Sequence, residues 1–326
     1  MNNMIHPKSP VLCSNETHIP FGIYDDLIAD VDTSYWDKKG LFSKNRRTER
    51  KAWIFFGVFS PELIAGLAIV DAGVVATAFS YFYSFKDGIF EEDKITVPFG
   101  FGNDFNPNLN SEWKLGNYSI KTVNGKMHLQ YLGKYKMYIE AENNTAGFST
   151  VAPSEGSRPF NFTYKNMALP VKVQINNGGV STYATSGKYG NIDFTKGYPP
   201  RETIWNWLSF VGITASEKTI AVNLVDRFNA NMENILWLNG EKIVLSDAVF
   251  TMQAPMDKTD WIIETKDGIL KCHLTPRGAR RENLNAVLMK SNFIQPFGTL
   301  DGTITIDGKE EAFTAIGVAE DHHALW

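Results

Sequence analysis

Apolar residues in this chain alternate with polar ones over short runs or fill short runs outright, and very little of it shows the 3.6-residue period of an amphipathic helix. The pattern predicts strands at Trp53–Phe59, Tyr118–Val123, Met127–Tyr131, Tyr135–Glu140, Val171–Ile175, Thr219–Val225, Trp261–Thr265, Ile269–Thr275, Leu284–Ser291 and Thr303–Ile306. Between several of them stand hairpin signals. Asn124-Gly125, Asn239-Gly240, Asp267-Gly268 and Asp307-Gly308 tolerate the positive φ that tight turns demand. Short, evenly spaced strands imply antiparallel sheets, and closing such sheets into barrels removes exposed edges.

Leu63 to Tyr83, LIAGLAIVDAGVVATAFSYFY, is apolar enough to imitate a membrane helix. Asp71 would then lie near the bilayer centre, and Ser60-Pro61-Glu62 and Asp71-Ala72-Gly73 punctuate the run as turns do. Two or three buried strands are expected instead.

The length, 326 residues, exceeds one ordinary core and predicts two domains. GVFSPELIAGLAIVD (57–71) and GITASEKTIAVNLVD (212–226) share Gly, Glu, Val and Asp at the same offsets, each after an aromatic-rich strand, as a duplicated sheet unit would. A Gly/Pro-rich segment at 186–200 marks the boundary. The expected division is a lead segment at 1–45, a first barrel at 46–195 and a second at 196–326.

An apolar fraction of 43% supports folded cores, and a net charge of -4 supplies no field to gather nucleic acid. Cys13 and Cys272 cannot make a disulfide framework or a zinc site alone, which fits a reducing compartment. The first twenty residues lack the apolar core of a secretory signal, so a cytoplasmic location is expected.

Most chemically capable side chains fall in three tracts of the last third: PPRETIWNW (199–207), NLVDRF with MENILW (223–237), and GVAEDHHALW (317–326). On a strand Glu320, His322 and Trp326 share one side, while Asp321, His323 and Leu325 share the other. Each side thus carries a carboxylate and an imidazole, the pair that general acid–base chemistry needs where water is scarce. Which side looks inward stays open, and a structural polar network is the plainer account. Trp205 and Trp207 share a face opposite Asn206, and with Trp237 and Trp326 they can wall a cavity or simply fill a core. Asn223, Asp226, Arg227 and Glu233 follow. Buried charges must be paired, so Asp226 or Arg227 is expected to meet Glu233 or Arg201.

No metal centre or cofactor is expected. His322 and His323 face opposite ways and His6, His18, His128 and His273 are scattered. Gly-x-Ser-x-Gly and phosphate-loop motifs are absent, and Cys272 and His273 point apart on a strand. The basic runs Lys44–Lys51 and Arg277–Arg281 read as solvated loops, or as contacts to a lipid headgroup or, weakly, an anionic membrane surface.

KAWIFFGVFSPE, AIVDAGVVATAFSYFY, RETIWNW, NLVDRF, MENILW and GVAEDHHALW, in this order, resemble the bacterial DUF2804 family from about residue 20 to the end. The family's Arg-Thr-Thr-Trp-Asn-Trp carries one extra residue here, in Arg201–Trp207, which leaves the direction of Arg201 open. The family is similar, more distantly, to a double lipocalin-like group that includes carotenoid hydratases, tocopherol cyclases and Diels–Alder cyclases. The resemblance implies an all-β fold of two lipocalin-like antiparallel barrels and a small apolar, isoprenoid-like ligand; it fixes no reaction.

The functional expectation is cofactor-free acid–base chemistry on such a ligand, as hydration, isomerisation or cyclisation. Glu320 with His322, or Asp321 with His323, would move the proton, and Arg201 or Arg227 would grip a polar end. A non-catalytic lipid carrier or chaperone, and a structural interaction protein, are the alternatives. Oligomeric state is not legible.

Overall fold

A computed structural model describes residues 5–6, 11–12, 19–28, 30–37, 46–102, 105–179, 181–285 and 290–326. Cys13, His18, Lys44 and the middle of the expected strand Leu284–Ser291 lie outside the described residues, as does much of the lead segment. The contacts divide the chain at Pro199–Pro200.

The first unit opens with short strands β1 (Ile5–His6), β2 (Val11–Leu12), β3 (Gly22–Asp25) and β4 (Asp30–Val31), and a single helical turn at Ser34–Asp37. Then come β5 (Lys51–Phe59), β6 (Leu63–Asp71), β7 (Val75–Ser84), β8 (Phe90–Pro98), β9 (Trp113–Leu115), β10 (Tyr118–Val123), β11 (Lys126–Leu132), β12 (Lys136–Glu142), β13 (Phe148–Ala152), β14 (Asn161–Asn177) and β15 (Ser181–Gly197). They hydrogen-bond in the order β8-β7-β6-β5-β15-β14-β12-β11-β10-β9, all antiparallel. β9 returns against β6 and β7, so the sheet curls into a near-barrel around a core that includes Ile54, Phe56, Phe82, Trp113, Tyr131 and Phe194.

The second unit contains β16 (Glu202–Thr214), β17 (Thr219–Asp226), β18 (Ile235–Leu238), β19 (Glu241–Val244), β20 (Ala248–Thr251), β21 (Trp261–Thr265), β22 (Leu270–Asn285), β23 (Lys290–Ile306) and β24 (Lys309–Leu325). Its order is β19-β18-β17-β16-β24-β23-β22-β21-β20, and β20 comes back near β17 to make an open half-barrel. The chain adopts the expected all-β fold, and of the two lipocalin-like antiparallel barrels expected the first forms a near-barrel and the second an open half-barrel.

The apolar run Leu63 to Tyr83 is the hairpin of β6 and β7, and no helix is long and apolar enough to cross a membrane among the described residues. Three of the four hairpin signals close as two-residue turns with both central residues at positive φ: Asn124-Gly125, Asn239-Gly240 and Asp307-Gly308. Asp267-Gly268 does not. Only Gly268 has positive φ there; the Asp267 carboxylate accepts from the Ile269 and Ser246 main-chain N–H groups at 3.0 and 2.7 Å and holds a wider loop.

The repeated segments both form hairpins, but their turns differ by one residue. Ser60 pairs with Leu63 across Pro61-Glu62, whereas Thr214 pairs with Lys218 across Ala215-Ser216-Glu217, with Glu217 at φ 63°. Matching offsets therefore do not mean matching register: Gly57 faces Gly66, while Gly212 faces Ile220.

Candidate functional site

The two faces of the second sheet are separated by strict alternation along β24, whose pairing to β16 holds one register from Glu202↔Leu325 to Thr214↔Phe313. Phe313, Ala315 and Ala319 belong to the apolar core with Leu208, Phe210, Leu236 and Trp261, so Asp321 and His323 continue the core face. Glu320 and His322 point the other way. That face is also buried where they sit, with side-chain exposures of 11% and 12%.

Cross-strand pairing sets the neighbours there. One row runs Arg280, Gln295, Glu320, Trp207 across β22, β23, β24 and β16; the next runs Glu282, Phe293, His322, Trp205; the third brings Ser291 beside Ala324. Glu320 Oε1 accepts from Trp205 Nε1 at 3.0 Å and meets His322 Nδ1 at 3.0 Å, and Oε2 accepts from Gln295 Nε2 at 2.7 Å. Burial pushes the Glu320 carboxyl up, but the His322 hydrogen bond and charge, Arg280 and Gln295 together outweigh it and hold the group below the usual carboxylate range.

An ionised carboxylate only accepts hydrogen bonds, so the nitrogen facing it, Nδ1, carries a proton. His322 Nε2 is left to exchange one. The ring is held between Trp205, centroids 4.0 Å apart, and Phe293 at 5.1 Å; Trp205 in turn meets Phe228 at 5.8 Å, and the Arg280 guanidinium lies 5.3 Å over Phe293. Aromatic faces favour an imidazolium between them. The same carboxylate that fixes the Gln295 amide leaves its Oε1 buried with no partner among the described residues.

The remaining expected site residues fall into separate groups. Trp207 Nε1 donates to Asn223 Oδ1 at 2.8 Å, Asn223 Nδ2 donates to the Glu233 carbonyl at 2.8 Å, and Asn229 holds the Glu233 carboxylate at 2.5 Å, a chain that ties β16 and β17 to the loop before β18. Trp237 pairs beside Ala221 on this face and is buried. On the core side, at its rim, Asn206 donates to Asp321 at 2.8 Å and accepts from Arg227 at 2.5 Å, while Arg227 also reaches Asp321 at 3.3 Å and Asp226 at 3.8 Å. The expected pairing of Asp226 or Arg227 with Glu233 or Arg201 is thus not the one formed. Arg227 takes positive φ, 65°, which turns its side chain back to Asn206 and Asp321.

His323 meets Glu202 at 2.8 Å in solvent rather than Asp321, because Glu202 lies one step along the neighbouring strand. Arg201 donates to a main-chain oxygen of Trp326 at 2.8 Å, and Trp326 Nε1 donates to Thr203 at 3.0 Å, which answers the question of where the displaced arginine points.

Arg280, Gln295, Ser291 and Phe293 carry no signal in the three tracts. The run Arg277–Arg281 is not a solvated loop: it lies in β22 across a bulge at Pro276–Gly278, with Arg280 buried and Arg281 on Asp257 at 2.7 Å. The described part of the other basic run, 46–51, likewise turns inward, for Arg47, Arg50 and Lys51 are all buried. Cys272 is a core thiol, its pKa pushed up to about 12 by burial, and is inert as a nucleophile. Among the described residues no three His, Cys, Asp or Glu side chains converge as metal ligands. Two recesses lie in the first unit, one of about 360 Å³ lined by Leu27, Val31, Leu109 and Phe194, and a groove of about 670 Å³ over Gln130, Tyr138 and Lys172. Neither contains an expected site residue.

Solved structures share this architecture. Kievitone hydratase from Nectria haematococca superposes with a TM-score of 0.55 at 16% identity, covering 83% of this chain and 88% of its own. The AttH protein of Nitrosomonas europaea superposes with a TM-score of 0.53 at 12% identity, covering 82% and 92%. These define the class, a double lipocalin-like β-fold. Within it, the chain belongs to the DUF2804 family, a domain of unknown function, whose model matches residues 5–326. No curated protein sequence matches the chain.

Proposed function

We propose that this protein performs cofactor-free acid–base chemistry on a small hydrophobic ligand, with His322 as the proton carrier and Glu320 as its fixed counter-charge. The observation that carries the reading is the buried Glu320–His322 contact of 3.0 Å with the imidazole 4.0 Å from the Trp205 ring. Glu320 orients the ring and balances the charge of its protonated form; Nε2 then gives a proton to an alkene carbon or takes one back. Trp205, Phe293 and Phe228 offer π-faces to an apolar chain and to positive charge developing on it.

Hydration is the reaction class we favour. Gln295 Oε1, a buried acceptor without a partner among the described residues, can hold the water that adds after protonation, or a ligand hydroxyl. That a hydratase of kievitone has the same fold supports the choice without deciding it.

Native mass spectrometry of freshly purified protein, followed by solvent extraction, tests the ligand; incubating the extracted compound in heavy-oxygen water tests the reaction. The expected result is a co-purifying apolar compound that gains one labelled oxygen with wild-type protein and not with His322→Ala. A bound compound that wild-type protein leaves unchanged, with affinity unaltered by His322→Ala, would mean a carrier.

A further inference from the structure

When His322 gives its proton to carbon and the water that adds sheds its own proton to solvent, the imidazole is left neutral and must be recharged; the ring is walled by Trp205 and Phe293 and backed by Glu320. Among the described residues one polar contact leads away from Nε2. The Ser291 hydroxyl lies 3.1 Å from it, and the same oxygen lies 3.4 Å from Glu282 Oε2. Glu282 stands on β22 in the row of His322 and is only partly buried, so the line of atoms runs from the buried carboxylate toward solvent.

We propose that Ser291 and Glu282 form a proton relay that recharges His322 between turnovers. This rests on the reading of His322 as proton carrier. A hydroxyl suits the middle position because it donates and accepts at once. With Nδ1–H committed to ionised Glu320, neutral His322 presents a lone pair at Nε2, and Ser291 donates to it. A proton arriving on Glu282 passes to the Ser291 oxygen as the Ser291 proton passes to Nε2. The result is an imidazolium, a restored hydroxyl and an ionised Glu282, so protons balance and no bond to carbon is involved. Ser291 is a positioning residue in this scheme, since it acts on the ligand only through His322. Among the described charged groups in the two rows, Glu320 and Arg280 hold fixed charge, and Glu282, within reach of the Ser291 hydroxyl and partly exposed, faces water.

Threonine and valine at position 291 have nearly the same shape and both favour strands, so they separate the hydroxyl from its bulk. The test is the rate at which the His322 Nε2 proton of the imidazolium exchanges with water, read by NMR on protein labelled with 15N-histidine and with no ligand added. We expect Ser291→Thr to exchange near the wild-type rate and Ser291→Val to be slower by about tenfold or more, the cost of one lost hydrogen-bonded step. Glu282→Gln should fall in between. Equal rates in the threonine and valine proteins, or a wild-type rate in Glu282→Gln, overturn the relay. Because the exchange is read without turnover, absence of lipid turnover leaves this result standing, and turnover with insensitive exchange rejects the relay alone.

Discussion

Two buried carboxylates, Asp71 in the first unit and Glu320 in the second, are satisfied by different kinds of partner. Asp71 accepts from the Arg47 guanidinium at 2.8 Å and from the Gly73 main-chain N–H at 3.0 Å; Arg47 also donates to the Gly102 carbonyl, and neighbouring Lys51 donates to the Thr48 and Ala72 carbonyls. That network stitches backbone to backbone around always-charged arginines. Among the described residues Glu320 is held by side chains, from Trp205, His322 and Gln295, and one of them is an imidazole, a group that can both give and take a proton. A network anchored on main chain around an arginine–carboxylate pair holds a fold. One made of side chains around an imidazole can change protonation while the sheet stays as it is.

Removing one partner from the first network should therefore have the largest effect on folding. Arg47→Ala leaves buried Asp71 with only the Gly73 N–H and the more distant Arg50 guanidinium at 4.0 Å, and we expect a loss of about 3 kcal/mol in denaturant unfolding. A loss below about 1 kcal/mol would erase the contrast between the units.

At the second network the effect should move from stability to chemistry. His322→Ala is expected to lower turnover of the extracted ligand by about 10²–10⁴-fold while affinity shifts only a few-fold, and equal losses in both would count against proton transfer. Glu320→Gln should lower turnover as well. It also alters the acid side of the stability curve. The folded carboxyl lies below its ordinary value, so its contribution is present above the unfolded pKa and is lost as pH falls through the folded one. Acid unfolding monitored by circular dichroism should be less steep in the Gln variant.

The pattern of strands and turns was legible because alternation and Asn-Gly or Asp-Gly pairs act locally. Strand length was not. β14, β15, β23 and β24 each run 17 residues, and β14 and β22 bend at irregularities near Ala168–Pro170 and Pro276–Gly278, so fragments such as Val171–Ile175 and Ile269–Thr275 looked complete. The segment 186–200, rich in glycine and proline, is mostly the second half of β15 paired to β5. At the site, the i,i+2 spacing of Glu320 and His322 was enough to place them together, but Gln295, Ser291 and Arg280 come from strands whose register no local signal fixes. The direction of the β24 face was set by core residues such as Phe313 and Ala315, which precede the motif.

Two lysines of the first unit sharpen the comparison through pH. Burial lowers Lys196 to about 7 and Lys51 to about 8, below the value of an unfolded lysine. The unfolded chain then binds more protons than the folded one, so stability rises with pH from 7 toward 9, after the penalty present in full below pH 7. Lys196→Met should flatten that rise by on the order of 2 kcal/mol, measured as unfolding free energy at the two ends of the window.

The smallest effect is expected at Arg227. Its bonds to Asn206 and Asp321 resemble those at Asp71 on paper, but its side chain is 47% exposed and Asp321 is 36% exposed, so water competes for both groups. Arg227→Ala should cost no more than about 1 kcal/mol, and less at high salt. Its turnover should stay far above that of His322→Ala, because Asp321 and Arg227 lie on the core side of β24 and the proton carrier lies on the other. A loss of turnover as deep as that of His322→Ala, with the fold intact, would move the chemistry across the sheet to Asp321 and make the Glu320–His322 pair the structural one.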